Sequence, residues 1–291
     1  MEEDIRDKAY LTHEDVIALN FIKDSGRYLF RRHFRNGLRS HIMEVLDAGQ
    51  VRLETRGRVV NGVRIFPKAI PLKMLRIFRT RLASISQALN EIVKLRVIEA
   101  FLARDQFAGS SEFIVEYTGS DGPDMLLCGL QEFVEGRKLD PWRLKSGGIF
   151  KAYPEKSKAE QQAFAAQFRK SAQRFVDGVK QMIQKAGYIP DLAGQRNLLA
   201  TREGNIRLVD INNVSRVRFD SKIHIDDKGY PVCDKSIEAL SLIDRYLCAN
   251  EDCPVEPLYQ IFLDPGRMRA VAAMDASFHR SLKKVNSQAG C

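Results

Sequence analysis

Between Gly187 and Ser215 the chain reads GYIPDLAGQRNLLATREGNIRLVDINNVS, and this stretch limits the possible folds more than any other. Gly187, Pro190 and Gly194 break any helix that reaches it. The short apolar run Asn197-Leu198-Leu199-Ala200, the turn Arg202-Glu203-Gly204-Asn205 and the alternating Ile206-Arg207-Leu208-Val209 predict two strands joined by a tight turn. Such a hairpin leaves Asp191, Asn197 and Asp210 near one edge. Three oxygen-bearing side chains converging there suit a hard cation such as Mg²⁺, which takes carboxylate and carbonyl oxygens and keeps several waters. The alternative is a surface hairpin that uses its Asp and Asn only as turn residues.

Upstream, residues 158–186 place Phe164, Phe168, Ala172, Phe175, Val176, Val179 and Ile183 at helical spacing, with Gly187 as the C-cap. A long helix therefore delivers the chain into the Asp191 loop. Downstream, residues 220–232 are polar with a turn at Asp226-Asp227-Lys228-Gly229, and residues 236–248, 254–262 and 265–285 predict helices.

The order Asp191, Asn197, apolar strand, Asp210-Ile211-Asn212 resembles the protein-kinase-like superfamily, the protein kinases and the small-molecule phosphotransferases of the same fold. The loop from Asp191 to Asn197 is one residue longer than the family form. Tyr188-Ile189-Pro190 stands in place of its His-Arg pair, and Asn212 replaces the glycine of its D-F-G-type motif. The resemblance implies an α+β, two-lobed fold. Residues 1–132 would form a small lobe of antiparallel sheet plus one long helix. Residues 133–291 would form a larger, mainly helical lobe carrying the catalytic hairpin.

The N-terminal half is read against that expectation. Residues 42–46 predict a strand, 47–50 a turn, and 51–60 and 63–70 two further strands about Asn61-Gly62, the dipeptide favoured in two-residue hairpin turns. In the resemblance Gly49 lies in the turn over the phosphates. Lys68, on the third strand of this meander, holds the α- and β-phosphates. Residues 72–104 predict one helix with stripes at Phe78, Leu82, Ile85, Leu89, Ile92 and at Leu95, Ile98, Leu102. Glu91 shares a face with the second stripe and is the expected ion-pair partner of Lys68, with Glu99 as the competing choice. Strands over 112–117 and 125–130 then run into Gln131–Arg137, which resembles the hinge. There the Glu132 carbonyl and the Val134 amide would face adenine.

The resemblance implies ATP and Mg²⁺ as cofactors: Asp191 orients an acceptor hydroxyl and takes its proton, while Asn197 and Asp210 hold the metal. No A-P-E segment follows Asp210, which favours a small-molecule, sugar or lipid acceptor over a protein. Lysine and arginine total 46 against 37 acidic residues, a net charge of +9, so the acceptor or another partner is expected to be anionic. Basic residues crowd Arg27, Arg31, Arg32, Arg35 and Arg39, with Phe30 and Phe34 between them, and again Lys73, Arg76, Arg79 and Arg81. A solvated face is the plain reading of both groups.

Five scattered cysteines supply no disulfide framework, and Cys248 and Cys253 lack the second pair of a zinc site. No apolar run reaches the ~20 residues of a membrane span and the polar N-terminus is not a secretory signal, so a cytoplasmic protein is expected, with peripheral membrane contact left open. Two other functions stand beside the enzyme. One is a pseudokinase-like nucleotide-binding module; the other is a nucleic-acid binder using the arginines at 27–39.

Overall fold

The computed structural model describes residues 3–33, 39–119, 122–151, 153–251 and 256–288. Its helices are α1 (His13–Ile17), α2 (Ala48–Arg56), α3 (Ile85–Phe101), α4 (Lys158–Ala186), α5 (Val232–Leu247), α6 (Pro257–Phe262) and α7 (Pro265–Gln288). Its strands are β1 (Tyr28–Arg32), β2 (Ser40–Asp47), β3 (Arg58–Val60), β4 (Val63–Ile65), β5 (Lys73–Phe78), β6 (Ser110–Gly119), β7 (Gly122–Glu132), β8 (Arg137–Lys138), β9 (Tyr188–Pro190), β10 (Leu198–Ala200), β11 (Ile206–Leu208) and β12 (Val214–Arg216). The fold is α+β. The chain divides into two compact units, residues 1–93 with 109–133, and residues 94–108 with 134–291. Residues 94–108, placed in the first lobe by sequence, therefore belong to the second unit.

The first unit is built on a five-stranded antiparallel sheet in the order β1-β2-β5-β7-β6. One face buries Met43, Val45, Leu75, Ile77, Val115 and Leu126 against Ile5, Leu11, Val16 and Leu19 of the N-terminal segment. On a second cluster, Leu127 meets Leu82 and Ala88, the latter from the first half of α3. Burying each such aliphatic chain stabilises the unit by roughly 1.5–3 kcal/mol.

Several expectations fail here. Residues 51–60 are not a strand: α2 occupies most of them, with Asp47 Oδ1 capping it by accepting from the Gln50 N–H at 2.9 Å. Gly49 is thus a residue of the first helical turn, not of a turn between two strands. The Asn61-Gly62 hairpin forms with both residues at positive φ, 49° and 79°, but it joins only β3 to β4 and stands outside the large sheet. The three-stranded meander does not exist, and Lys68 is an exposed loop residue. Nor is 72–104 one helix. Its first part is β5, the central strand of the sheet, and helix begins only at Ile85.

The second unit is mainly helical, around α4. Ser157 caps that helix by accepting from the Glu160 N–H while the Glu160 carboxylate accepts from the Ser157 N–H. Gly187 closes it in the left-handed conformation at φ 71°, its N–H donating to the Ile183 carbonyl. Phe168, Phe175, Val176, Val179 and Met182 are fully buried along one face, packed with Ile237, Leu240 and Ile243 of α5. Leu95, Ile98 and Leu102, from the second half of α3, enter this same core. Contact at the end of α3 is close: a Cβ on Gly178 would stand 2.8 Å from Leu102 Cδ2 and from the Phe101 carbonyl. Lys180 on α4 pairs with Asp244 of α5 at 2.6 Å and with Glu256 at 2.8 Å, beside α6. Among the described residues no helix is long and apolar enough to cross a membrane.

Candidate active site

Three pairs of short antiparallel strands frame the site, all within the second unit. β10 pairs with β11 (Leu198 opposite Leu208) and with β8, while β9 pairs with β12 (Pro190 opposite Val214). The hairpin of β10 and β11 rests on α4, where Ser171 Oγ accepts from the Ile206 N–H at 3.0 Å and Gln167 Nε2 donates to Asn205 Oδ1 at 3.0 Å. The ladders extend past the strand ends: Val209 N–H donates to the Asn197 carbonyl and Asp191 N–H to the Asn213 carbonyl, each at 2.8 Å. Those two bonds bring residues 191, 197 and 210 to the same end of the hairpin.

The loop between β9 and β10 is tied inward. Asn197 is fully buried, and its Nδ2 donates to the Asp191 carbonyl at 2.9 Å. Asp191 Oδ1 accepts from the N–H groups of Ala193 and Gly194, both at 2.9 Å, and Oδ2 accepts from Asn213 Nδ2 at 3.0 Å. Leu192 N–H donates to Ser236 Oγ of α5 at 3.1 Å, fixing the loop on its other side. Gly194 is a residue the close approach requires, since a Cβ there would lie 2.3 Å from Asn197 Nδ2.

Asp191 is buried, and burial pushes its carboxyl above the usual carboxylate range; the Asp210 charge pushes the same way, opposed by the loop's hydrogen bonds. Asp191 and Asp210 are thus close enough to feel one another, and Asp210 is half-buried. The donor set offered to a cation is the Asn197 amide with two carboxyl groups. Among the described residues no cluster of three His, Cys, Asp or Glu side chains is arranged for a metal. One or two carboxylates with substrate phosphates and water are what Mg²⁺ ordinarily takes, so the set fits that ion rather than zinc.

Beside this loop lies a cavity of about 270 Å³. Ala193, Gly194 and Gln195 form one wall, and Trp142, Tyr230 and Lys235 contribute others. Lys235 Nζ sits 4.6 Å from the Trp142 ring centre and donates to Glu238 Oε2 at 2.6 Å, while Trp142 Nε1 donates to Glu238 Oε1 at 2.8 Å. Burial, then the neighbouring Asp275 carboxylate, pushes the Tyr230 hydroxyl well up, and the charge of Asp191 adds to the effect.

The remaining sequence candidates are placed differently. Lys68 is on no strand, so it cannot be the strand-borne cation of the first unit. Glu91 lies half-buried on α3, and Glu99, the competing choice, pairs within its own helix with Arg96 at 2.5 Å. Glu132 ends β7, its N–H on the Gly109 carbonyl at 2.8 Å, and Val134 opens the second unit. In the basic segment Arg31 is paired with Glu44 at 2.9 Å and Glu54 at 2.7 Å, and Arg27 and Arg32 lie over Tyr28 and Tyr10. Phe34, Arg35, Cys253 and Cys291 lie outside the described residues.

Sequence reasoning passed over Asn213 and Ser236, whose roles depend on contacts between distant segments, and read Gly194 only as a helix breaker. It named Arg76 only as one of a basic group. That arginine is buried on β5, with Nη1 donating to Gln131 Oε1 at 3.2 Å. A charged residue amid the apolar run Met74-Leu75-Arg76-Ile77-Phe78 was the available signal. No family model matches the chain, and no curated protein matches it either.

Proposed function

We propose that the chain is an ATP- and Mg²⁺-dependent phosphotransferase that moves the γ-phosphate of ATP to a hydroxyl of a small acceptor. One observation carries the reading: Asp191, Asn197 and Asp210 come to one end of a hairpin, in the order the kinase-like family uses. Asp191 holds the acceptor hydroxyl and takes its proton as that oxygen bonds to phosphorus and ADP leaves. Its raised proton affinity makes it a better base than an ordinary carboxylate. Each carboxylate oxygen has about two acceptor positions, so Oδ2, with one bond from Asn213, keeps one for the substrate. Asp210 and Asn197 would hold Mg²⁺, whose charge neutralises the phosphate oxygens when bound. Lys68, an exposed loop residue, drops out of the reading; on the large sheet of the first unit the buried cation is Arg76 of β5. The Glu132 carbonyl and Val134 amide stay assigned to adenine on the resemblance alone.

The cavity beside the Asp191 loop is the proposed acceptor site. At about 270 Å³ it lies just under the ~300–1,000 Å³ of drug-sized ligand pockets and suits a single sugar-sized molecule. Lysine ammonium groups and the Asp140 and Asp275 carboxylates around Trp142 and Tyr230 supply both donors and acceptors, as a polyhydroxyl compound needs.

The test is transfer of labelled phosphate to a panel of sugars, polyols and their phosphates. The parent is expected to label at least one of them. Asp191→Ala and Asp210→Ala should each lose on the order of 10²–10³-fold in rate. An Asp210→Ala protein that transfers at the parental rate overturns the assignment. A second reading, a nucleotide-binding module without turnover, is favoured by the three hydrogen bonds with which Asp191 is already engaged. It predicts thermal stabilisation by Mg·ATP with no labelled product from any acceptor.

A further inference from the structure

Residues 56–73 carry five basic side chains, Arg56, Arg58, Arg64, Lys68 and Lys73, and no acidic one. Within that segment β3 and β4 form a two-stranded sheet joined, among the described residues, by no third strand. A free-standing hairpin of this length is marginal in water. This one also exposes its apolar side chains: Val59 and Val63 are each 61% accessible and Phe66 is 60%. Val60, Ile65 and Ile70 are exposed as well. Single exposed apolar residues are ordinary, whereas several on one short element outside the large sheet mark a contact surface.

The shape is fixed locally. Arg64 Nη1 donates to the Arg56 carbonyl at 2.7 Å, and Gly57 (φ 71°) leaves no room for a Cβ, which would lie 2.9 Å from Arg64 Cγ and from the Ile65 carbonyl. Pairing sets Val60 opposite Val63 next to the turn and Arg58 opposite Ile65 at the base, on one face; Val59 and Arg64 share the other. Aliphatic groups therefore lead at the turn and guanidinium groups lie behind them. The acid nearest in sequence, Glu54, is already engaged, accepting from Arg31 at 2.7 Å and from the Ala69 N–H at 3.2 Å, and pairs with none of the five.

We infer that this hairpin docks the first unit onto an anionic phospholipid surface. The valines at the turn enter the boundary between headgroups and acyl chains, and Arg58, Arg64 and Lys68 meet lipid phosphates. Three residues per strand at ~3.3 Å give a reach of roughly 10 Å, which matches the ~5–10 Å depth of interfacial insertion. Nucleic acid fits less well, because aliphatic side chains have no π-face on which a base can stack. A second copy of the chain fits less well too, since a two-fold contact through the hairpin sets arginine against arginine. The surface belongs to the first unit and needs neither nucleotide nor turnover.

The experiment is sedimentation of the full chain with vesicles of phosphatidylcholine alone or of phosphatidylcholine mixed with phosphatidylglycerol. The chain is expected to sediment only with the anionic vesicles, less so as salt rises. Val60→Asp with Val63→Asp should cut that binding at least about tenfold, and Arg58→Gln by roughly fivefold. All three side chains are exposed, so circular dichroism should show an unchanged fold. The inference is overturned if the double variant binds like the parent, or if the parent ignores both vesicle types. Retention of a single-stranded oligonucleotide without vesicle binding, or hairpin-dependent dimerisation without it, overturns it equally.

Discussion

Gly194→Ala tests the heart of the candidate site without reference to any substrate. Gly194 is not among the glycines with positive φ, so alanine meets no backbone objection there. The cost is contact alone. The new Cβ would lie 2.3 Å from Asn197 Nδ2 and 2.7 Å from Cγ and Oδ1, far inside the ~3.5–4.0 Å at which carbon-sized atoms rest. Asn197 must therefore swing away, losing its 2.9 Å bond to the Asp191 carbonyl. That bond contributes ~1 kcal/mol, and each buried group left without a partner costs a further ~1–3 kcal/mol, so the total is about 3 kcal/mol. At a urea slope near ~3 kcal/mol/M the midpoint should fall by about 1 M. The chain has one tryptophan, Trp142, and it lies in the second unit beside this loop, so its fluorescence reports the right transition. Asn197→Ala alone should cost about 2 kcal/mol, and the double variant should match Asn197→Ala rather than the sum, because the added methyl then fills vacated space. A Gly194→Ala protein with the parental midpoint, or a double variant whose losses add, would refute the packing of Asn197 against Gly194.

Other expectations are separable from that one. Asp210→Asn removes a charge that raises Asp191, so carboxyl carbon NMR should show the Asp191 titration moving to lower pH; no movement would place the two apart. A folded-state value raised in this way stabilises below the unfolded value of 3.8 and is lost as pH climbs through the raised one, so the variant should lose less stability over that window. His41 is driven the other way, to about 4 from 6.5, by burial and then by Arg79. Its contribution is therefore present above 6.5 and lost as pH falls towards 4, roughly 3 kcal/mol that a His41→Gln variant should not lose in acid unfolding followed by circular dichroism. Arg267→Met leaves Asp234 buried without the guanidinium that now donates to it at 2.5 Å, and should cost about 3–5 kcal/mol by the Trp142 urea midpoint.

What the sequence made legible follows from how each element is stabilised. The helix α4 has a capping box at Ser157, a long apolar face and a glycine at its end, three local signals that agree. The hairpin of β10 and β11 was equally plain, and with it the shared edge of Asp191, Asn197 and Asp210. By contrast α2 buries no residue at all, so periodicity carried no information and residues 51–60 read as a strand leading to Asn61-Gly62. Its helicity rests on the Asp47 cap. The strand β5 was hidden for the opposite reason. Met74, Leu75, Arg76 and Ile77 are buried in succession, as in a central strand covered on both faces, which short apolar runs in helices also imitate. Placing Lys68 on a strand was a direct result of missing β5. The contacts of Asn213 and Ser236 span 22 and 44 residues and had no local signature.

One helix, α3, gives Ala88 to a cluster in the first unit and Leu95, Ile98 and Leu102 to the core of the second. A fragment starting at residue 134 would leave those three side chains behind, opening a hollow against α4 where Gly178 now touches Leu102. A cut ahead of the helix would in turn carry β6 and β7 away from the first unit's sheet, so dissecting this chain calls for the missing turns to be supplied to the 134–291 fragment as a separate peptide.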